Sequence, residues 1–423
     1  MKMKPRRLLF YLWFLLLVLG SPAATVRGQQ ARDDLKPTLI LISIDGFRAD
    51  YLARYPHPTL DTLAQEGVRA RWMTPSYPSL TFPNHYTIAT GLYPEHSGIV
   101  SNDIYDPGFD AVFGMSKRDE VRNGRWWGGE PIWITAERQG QKASATFWPG
   151  SEAEIKGTRP TFFKPYDDKV TPADRVDAVL SLLDLPAAQR PTFLTLYFSD
   201  VDHAGHDFSP NSPEVAKAVS TVDSAVHRLV SGLKSRNIYS RVNIIIVSDH
   251  GMAPVPRANV IILDDYFKAK DAAHIVWGAE LVNIFPRDGE EETLFHSIKQ
   301  DQFRHARCYR KQDIPARFHY RASRRIGAIL CMAEEGWRMS ARSRYEEDLK
   351  KADRPKNVRG AHGYDNQLVS MRAIFIARGP AFRRHAVVKA FPNVNVYNIM
   401  ARVLRLTPAK NDGTPAPARA VLR

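Results

Sequence analysis

Three apolar, β-branched runs, each broken off at an acidic turn, constrain this chain more than anything else in it. Thr38-Leu39-Ile40-Leu41-Ile42-Ser43-Ile44 runs into Asp45-Gly46. Thr192-Phe193-Leu194-Thr195-Leu196-Tyr197-Phe198 runs into Ser199-Asp200-Val201-Asp202, and Val242-Asn243-Ile244-Ile245-Ile246-Val247-Ser248 into Asp249-His250-Gly251. Near-continuous apolar runs of this length suit strands buried on both faces, as in a parallel sheet; a sheet wetted on one face would alternate. Helical patterns lie between them, from Thr171 to Leu183 and from Pro213 to Lys234, the latter apolar at Val215, Ala218, Val219, Val222, Val226 and Leu229. This alternation predicts an α/β fold with a mostly parallel central sheet flanked by helices. With 423 residues, 44% of them hydrophobic, the chain can bury one large core and a smaller lobe, and is not a disordered polymer.

The amino terminus reads differently. Lys2, Lys4, Arg6 and Arg7 precede an apolar stretch from Leu8 to Leu19 and the small residues Gly20-Ser21-Pro22-Ala23-Ala24. This is the pattern of a cleavable secretory signal over residues 1–24, which leaves one domain over 25–423. The stretch falls short of the roughly 20 apolar residues a spanning helix needs, so an uncleaved anchor is the alternative reading and no stable membrane span is expected after removal. A periplasmic or secreted location follows. The net charge of +14 drops to +10 without the four leader cations.

Much of the remaining basic surplus lies between Arg304 and Arg344, inside a lobe inserted over roughly residues 257–345. Phe318 and Tyr320, then Ile326, Ala328 and Leu330, fall at every second position and predict antiparallel strands with a wet basic face. No aromatic-interleaved basic ladder accompanies them, so sequence-specific nucleic-acid binding is not expected. Export to an oxidising compartment would let Cys308 and Cys331 pair if their runs are adjacent strands; two free buried thiols is the slightly favoured reading, and the sequence alone does not decide.

In open α/β sheets ligands bind beyond the carboxyl ends of the strands, which is where Asp45, Asp202 and Asp249 fall. Histidines accompany them in Asp202-His203-Ala204-Gly205-His206 and Asp249-His250, and His362 lies between glycines in Gly360-Ala361-His362-Gly363. Carboxylates with neutral imidazoles form the donor set of a catalytic divalent site, and three acids with three histidines exceed what one ion takes. Two metals is the natural count, and the mixed nitrogen–oxygen set suits zinc best. A hydroxyl follows at Thr81, in Ser79-Leu80-Thr81-Phe82-Pro83-Asn84-His85, where a helix begins. It could cap that helix, or face a phosphate there as a nucleophile activated by a metal; composition alone leaves both open.

Six ordered motifs carry a family resemblance: Ile44-Asp45-Gly46-Phe47-Arg48, Thr81-Phe82-Pro83-Asn84-His85, Thr90-Gly91-Leu92-Tyr93-Pro94, Asp202 with Gly205-His206, Ser248-Asp249-His250-Gly251-Met252 and Gly360-Ala361-His362-Gly363-Tyr364-Asp365. Together they resemble the nucleotide pyrophosphatase/phosphodiesterase family of the alkaline phosphatase superfamily, over nearly the whole mature chain. The resemblance implies an alkaline-phosphatase-like fold and two zinc ions. One would be held by Asp202, His206 and His362, the other by Asp45, Asp249 and His250 with Thr81 as an exchangeable ligand. It further implies Thr81 as the nucleophile that becomes covalently nucleotidylated, and Asn102 with the Thr81 backbone N–H as donors to a phosphate oxygen. Phe82 and Tyr166 would flank a nucleobase, although Tyr166 read on its own is equally a loop or core aromatic. Leu80 stands where vertebrate nucleotide-cleaving relatives often carry lysine. His85, His96 and His203 are expected to hydrogen-bond around the site and not to ligate.

The implied function is hydrolysis of nucleotide phosphodiester or pyrophosphate bonds with release of nucleoside 5′-monophosphates, the partners being small nucleotides. The same site could serve phospholipid-type diesters, as in a phospholipase C-like enzyme, or phosphomonoesters, although no motif clearly supplies the extra cation monoesters need and only Arg48 follows Asp45 closely. A sulfatase is disfavoured because Thr81-Phe82-Pro83 lacks the convertible cysteine or serine. An exported metal-binding protein without turnover is the non-enzymatic alternative.

Overall fold

The computed structural model describes residues 34–298, 302–350 and 358–423, so the leader expected over residues 1–24 lies outside the described residues. The three apolar runs become neighbouring strands: β1 (Thr38–Ile44), β2 (Phe193–Phe198) and β3 (Val242–Val247). β1 is central and pairs parallel with both others, Leu41 lying opposite Thr195 on one side and Ile245 on the other. Beyond β2 lies Ala143–Ser144; beyond β3 lie Phe375–Arg378, Val68–Ala70 and Ala386–Val388, completing seven strands. Phe375–Arg378 runs antiparallel to β3, so the sheet is mixed around a parallel centre.

Side chains alternate between the two faces, and both are dry. Leu39, Leu41, Ile245 and Val247 pack into one cluster with Tyr86, Trp133 and Ile399. Ile40, Ile42, Ile44, Leu194, Ile244 and Ile246 pack into another with Val176, Val219, Val222 and Leu229. Each such fully buried aliphatic side chain stabilises the fold by about 1.5–3 kcal/mol relative to exposure. The covering helices form where the sequence predicts them, Pro172–Leu183 and Pro213–Ser235. Thr171 and Ser212 cap them by accepting the backbone N–H of Asp174 and Val215, and proline occupies the first turn.

A separate four-stranded antiparallel sheet runs in the order Ala272–Trp277, Leu281–Pro286, Ile329–Ala333 and Ala306–Arg310. Its core, including Val282, Ile284, Ile329, Leu263 and Met339, is distinct from the two flanking the large sheet. Three expectations about this region need correction. Cys308 and Cys331 are not free thiols: they face each other across adjacent strands and form a disulfide. Phe318 and Tyr320 are not on a strand, because Ala316–Phe318 is a single 3₁₀ turn and His319 follows in the left-handed region at φ 48°. Both rings instead pack on Tyr77 in the large core, at centroid distances of 4.3 and 5.2 Å. Nor is the basic stretch a uniformly wet face: Arg325 is buried with Asp106, while Arg310 and Arg317 pair with Glu292 and Asp365.

Candidate active site

The carboxyl edge of the large sheet gathers all six acids and histidines singled out from the sequence. Ser43 lies opposite Val247, so Asp45 and Asp249, two residues further on each strand, leave the edge at the same level. Asp202 sits in the first turn of helix α1 (Asp200–Phe208) after β2, and His206 lies one turn on along the same face. His362 follows the short strand Val358–Ala361, which the His206 imidazole reaches through Nδ1 and the Gly360 carbonyl at 2.9 Å. Gly46 makes this convergence possible. At φ 66° it adopts a conformation side chains resist, and a Cβ there would sit 3.0 Å from the Asp202 backbone and carboxylate.

Each histidine has its Nδ1 against a backbone carbonyl: His206 with Gly360, His250 with Gly251 at 2.8 Å and His362 with Ser79 at 2.9 Å. Those contacts fix Nδ1 as the donor and leave the Nε2 lone pairs for the centre, the arrangement metal-ligating histidines use. Within that centre His206 Nε2 and His362 Nε2 stand 3.0 Å apart, and the His250 and His362 rings stack at 3.5 Å. The Asp202 Oδ1 atom is 3.5 Å from His206 Nε2 and 3.7 Å from His362 Nε2; Asp249 Oδ2 is 2.9 Å and Asp45 Oδ1 3.5 Å from His250 Nε2.

Those three carboxylate oxygens are buried and, among the described residues, make no hydrogen bond. A buried carboxylate left that way is costly unless a cation supplies its partner. Facing acceptors, unpartnered anionic oxygens and ligand atoms within 4.8 Å of one another therefore fit divalent cations. Asp202, His206 and His362 form one such group; Asp45 belongs to neighbouring groups with Asp249 and His85 and with Asp202 and His250. His85 is the weaker donor of these, since both its nitrogens are engaged, Nε2 with Ser43 Oγ at 2.8 Å and Nδ1 with the Thr81 carbonyl at 2.9 Å. It lies 3.4 Å from Asp249, behind the cluster.

Electrostatics follow the crowding. Burial, then the charges of Asp249 and Asp202, raise the Asp45 carboxyl well above its ordinary range, against a 2.6 Å hydrogen bond from Tyr197 that favours ionisation. Burial would raise Asp249 too, but the adjacent His250 and His85 prevail and hold it low. Burial lowers the His85 and His362 imidazoles below their ordinary range.

Thr81 opens helix Thr81–Thr90, but it is Leu80 that occupies the cap position, with no side-chain cap. The hydroxyl instead faces the cluster, 3.3 Å from His250 Nε2. Asn102 accepts the Phe82 N–H through its side-chain oxygen at 2.9 Å. Phe82 and Tyr166 line one cavity of about 390 Å³ together with Phe147, Thr81, Asn102 and His362. Tyr166 packs edge-on against Phe147 and Tyr197, and His203 lines the same cavity. His96 lies elsewhere, paired with Asp412. Arg48 turns away from the cluster, bonded to Asp50 and to the Met252 carbonyl. No motif points to Tyr197, whose hydroxyl sits within an apolar strand; its only signal is a polar tip immediately before a strand end.

A mixed sheet with helices on both faces, an inserted antiparallel lobe and an acid- and histidine-lined carboxyl edge define an alkaline-phosphatase-like α/β protein. The family model for type I phosphodiesterase / nucleotide pyrophosphatase matches residues 39–365, and the chain belongs to that family. A venom phosphodiesterase from Crotalus durissus collilineatus is 41% identical over 384 residues, 89% of this chain and 45% of that protein. Ectonucleotide pyrophosphatase/phosphodiesterase family member 3 of Mus musculus is 38% identical over 386 residues, 89% of this chain and 43% of that protein. This chain thus spans about half the length of the curated relatives it matches. Among solved structures, murine ectonucleotide pyrophosphatase/phosphodiesterase 5 superposes with a TM-score of 0.84 at 31% identity, covering 91% of this chain and 100% of that one. An inactive threonine-to-alanine variant of it in complex with AMP superposes with a TM-score of 0.83 at 30% identity, covering 91% and 99%.

Proposed function

We propose that this protein is a two-zinc phosphodiesterase/pyrophosphatase that cleaves nucleotide phosphodiester or pyrophosphate bonds through a covalent threonyl intermediate, releasing nucleoside 5′-monophosphates. The observation that carries the reading is the Thr81 hydroxyl, free of any capping role and 3.3 Å from His250 Nε2 at the mouth of the donor cluster. Asp202, His206 and His362 would hold one zinc, and Asp45, Asp249 and His250, with Thr81, the other. Bound there, the two ions supply Lewis acidity to the phosphoryl oxygens and ease loss of the threonine proton.

The chain's own groups do the rest. Thr81 Oγ1 adds to phosphorus as the bond to the leaving group breaks on the opposite side. Water then adds to the same phosphorus, the threonyl–phosphate bond breaks, and Thr81 regains its proton. Asn102 and the Thr81 backbone N–H, at the start of a helix, donate to the charged equatorial oxygens. Phe82 and Tyr166 present aromatic faces to a nucleobase, a sequence-tolerant form of recognition. The AMP held by the solved relative's inactive threonine variant supports both the nucleophile and the nucleotide. Arg48, which follows Asp45 in sequence, is committed to Asp50 and so does not supply a cation for a monoester's second charge. Export to the periplasm or beyond is supported by the leader pattern and by the disulfide.

Thr81→Ala is expected to retain stoichiometric zinc and to lose cleavage of p-nitrophenyl thymidine 5′-phosphate. A variant that cleaved this ester at the parent rate would remove Thr81 from the chemistry. A parent enzyme preferring p-nitrophenyl phosphorylcholine or p-nitrophenyl phosphate would reject the nucleotide reading.

A further inference from the structure

Arg175, in the first turn of the helix Pro172–Leu183, is buried, and none of the six motifs includes it. Among the described residues it forms no ion pair. Its guanidinium is instead spread over three backbone carbonyls: Nε donates to Val170 at 2.9 Å, Nη1 to Tyr197 at 2.8 Å and Nη2 to Asp167 at 3.3 Å. A charged fork withdrawn from water needs its donors satisfied, and arginine offers several in one rigid plane. The same group also lies over aromatic rings, its central carbon 4.9 Å from the centroid of Phe147 and 6.0 Å from that of Tyr166.

These contacts converge on one wall of the cavity that Thr81 lines, since Phe147 and Tyr166 belong to that wall. Phe147 stands at φ 62°, in the left-handed region that a bulky side chain adopts only where its surroundings impose it. Tyr166 belongs to an irregular, exposed stretch over residues 163–169. Behind that stretch opens a further cavity of about 440 Å³, lined by Phe163 and Val170 on the loop side and by Val179 and Leu182 on the helix side, so close packing does not hold the loop there. The loop is tied by hydrogen bonds instead. The Tyr166 N–H donates to the Glu152 carboxylate at 3.0 Å, and the carbonyls of Asp167 and Val170 accept from Arg175.

We propose that Arg175 is a positioning residue for nucleobase recognition, its guanidinium fixing the Phe147 and Tyr166 rings in the orientation a base requires. It touches neither substrate nor the reacting atoms. The inference rests on the nucleotide reading above. A wall already ordered spares the substrate the cost of ordering it, so losing the strut weakens binding in ground and transition state alike and raises KM while sparing kcat. Because the Tyr197 hydroxyl bonds Asp45, a general loosening of that strand would instead lower kcat on every ester.

Two esters with the same leaving group separate these cases in the zinc-loaded full chain: p-nitrophenyl thymidine 5′-phosphate, and methyl p-nitrophenyl phosphate, which lacks a nucleoside. Arg175→Met is expected to raise KM for the thymidine ester at least about tenfold with little change in kcat, and to leave kcat/KM for the methyl ester near the parent's. The ratio of the two kcat/KM values is insensitive to the fraction of enzyme that folds. Arg175→Lys keeps the buried cation but not the three-way fork; its ratio is expected between those of the parent and the methionine variant, and it serves alone if the methionine variant does not fold. An unchanged ratio in either folded variant, or equal losses on both esters, would overturn the positioning role and leave the hydrolase intact. A parent with no preference for the thymidine ester over the methyl ester would overturn the nucleotide reading, and this inference with it.

Discussion

The side-chain oxygen of Asn102 accepts the backbone N–H of Phe82 at 2.9 Å, joining a loop residue to the first turn of the helix that presents Thr81. With its oxygen turned to Phe82, the amide NH₂ is the group left to donate to a ligand. Asn102→Asp preserves the contact with Phe82 and deletes the donor. It is expected to lower kcat on p-nitrophenyl thymidine 5′-phosphate by about 10²–10³-fold, with little change in melting temperature. Steady-state kinetics beside a thermal scan decide it, and a loss below threefold would remove Asn102 from the charge-stabilising role.

His85 is wholly buried between Ser43 and the Thr81 carbonyl and stands 3.4 Å behind Asp249. On the two-zinc reading it would position that carboxylate without itself ligating, since both its ring nitrogens are engaged. His85→Gln should weaken zinc binding by about 10–100-fold, measurable by competition with a chelator of known affinity, and excess zinc should restore much of the activity. Unaltered zinc affinity would show that His85 only fills space.

Asp106 and Arg325 are joined at 2.6 Å with both side chains buried, and Arg325 also donates to the carbonyls of Gly98 and Trp126. Burial would raise the Asp106 carboxyl, but Arg324 and Arg325 prevail and hold it below its usual range. A carboxyl depressed in this way adds stability above its unfolded pKa of about 3.9, and that contribution is lost as pH falls through the lower folded value. Asp106→Asn should therefore cost about 3 kcal/mol at neutral pH and flatten the decline in stability below about pH 4. Urea titrations across pH would expose a wrong assignment as an acid limb identical to the parent's.

The disulfide between Cys308 and Cys331 closes a segment with a sequence separation of 23. Loop-closure arguments assign such a link about 3 kcal/mol through the unfolded state. The double serine variant should unfold at lower denaturant, and reductant should shift the parent but not the variant. A parent indifferent to reductant would mean the thiols do not pair in solution.

The sequence made Asp45 and Asp249 legible because each ends an apolar run, and strand ends are where an α/β sheet collects its ligands. Thr81 is ambiguous in the sequence, because a hydroxyl at a helix start is as good a cap as a nucleophile; in the fold Leu80 occupies the cap. Arg325 lay in a basic run that reads as solvated; its partner Asp106 is 219 residues earlier, beyond any local pattern. Phe318 and Tyr320 misled for a different reason: two aromatics with one residue between them mimic a strand, and only the left-handed His319 distinguishes a turn. The Tyr197 hydroxyl was hidden by the apolar residues around it.

Asp45 and Asp249 emerge level with each other from adjacent paired strands, so the sheet itself behaves as a ruler with a graduation of about 4.8 Å. The interval between the anchoring carboxylates is thus inherited from backbone pairing and owes nothing to the lobe or the aromatic loop. Selection, or an engineer, can rebuild either wall to admit new molecules while the inorganic heart of the site keeps its calibration.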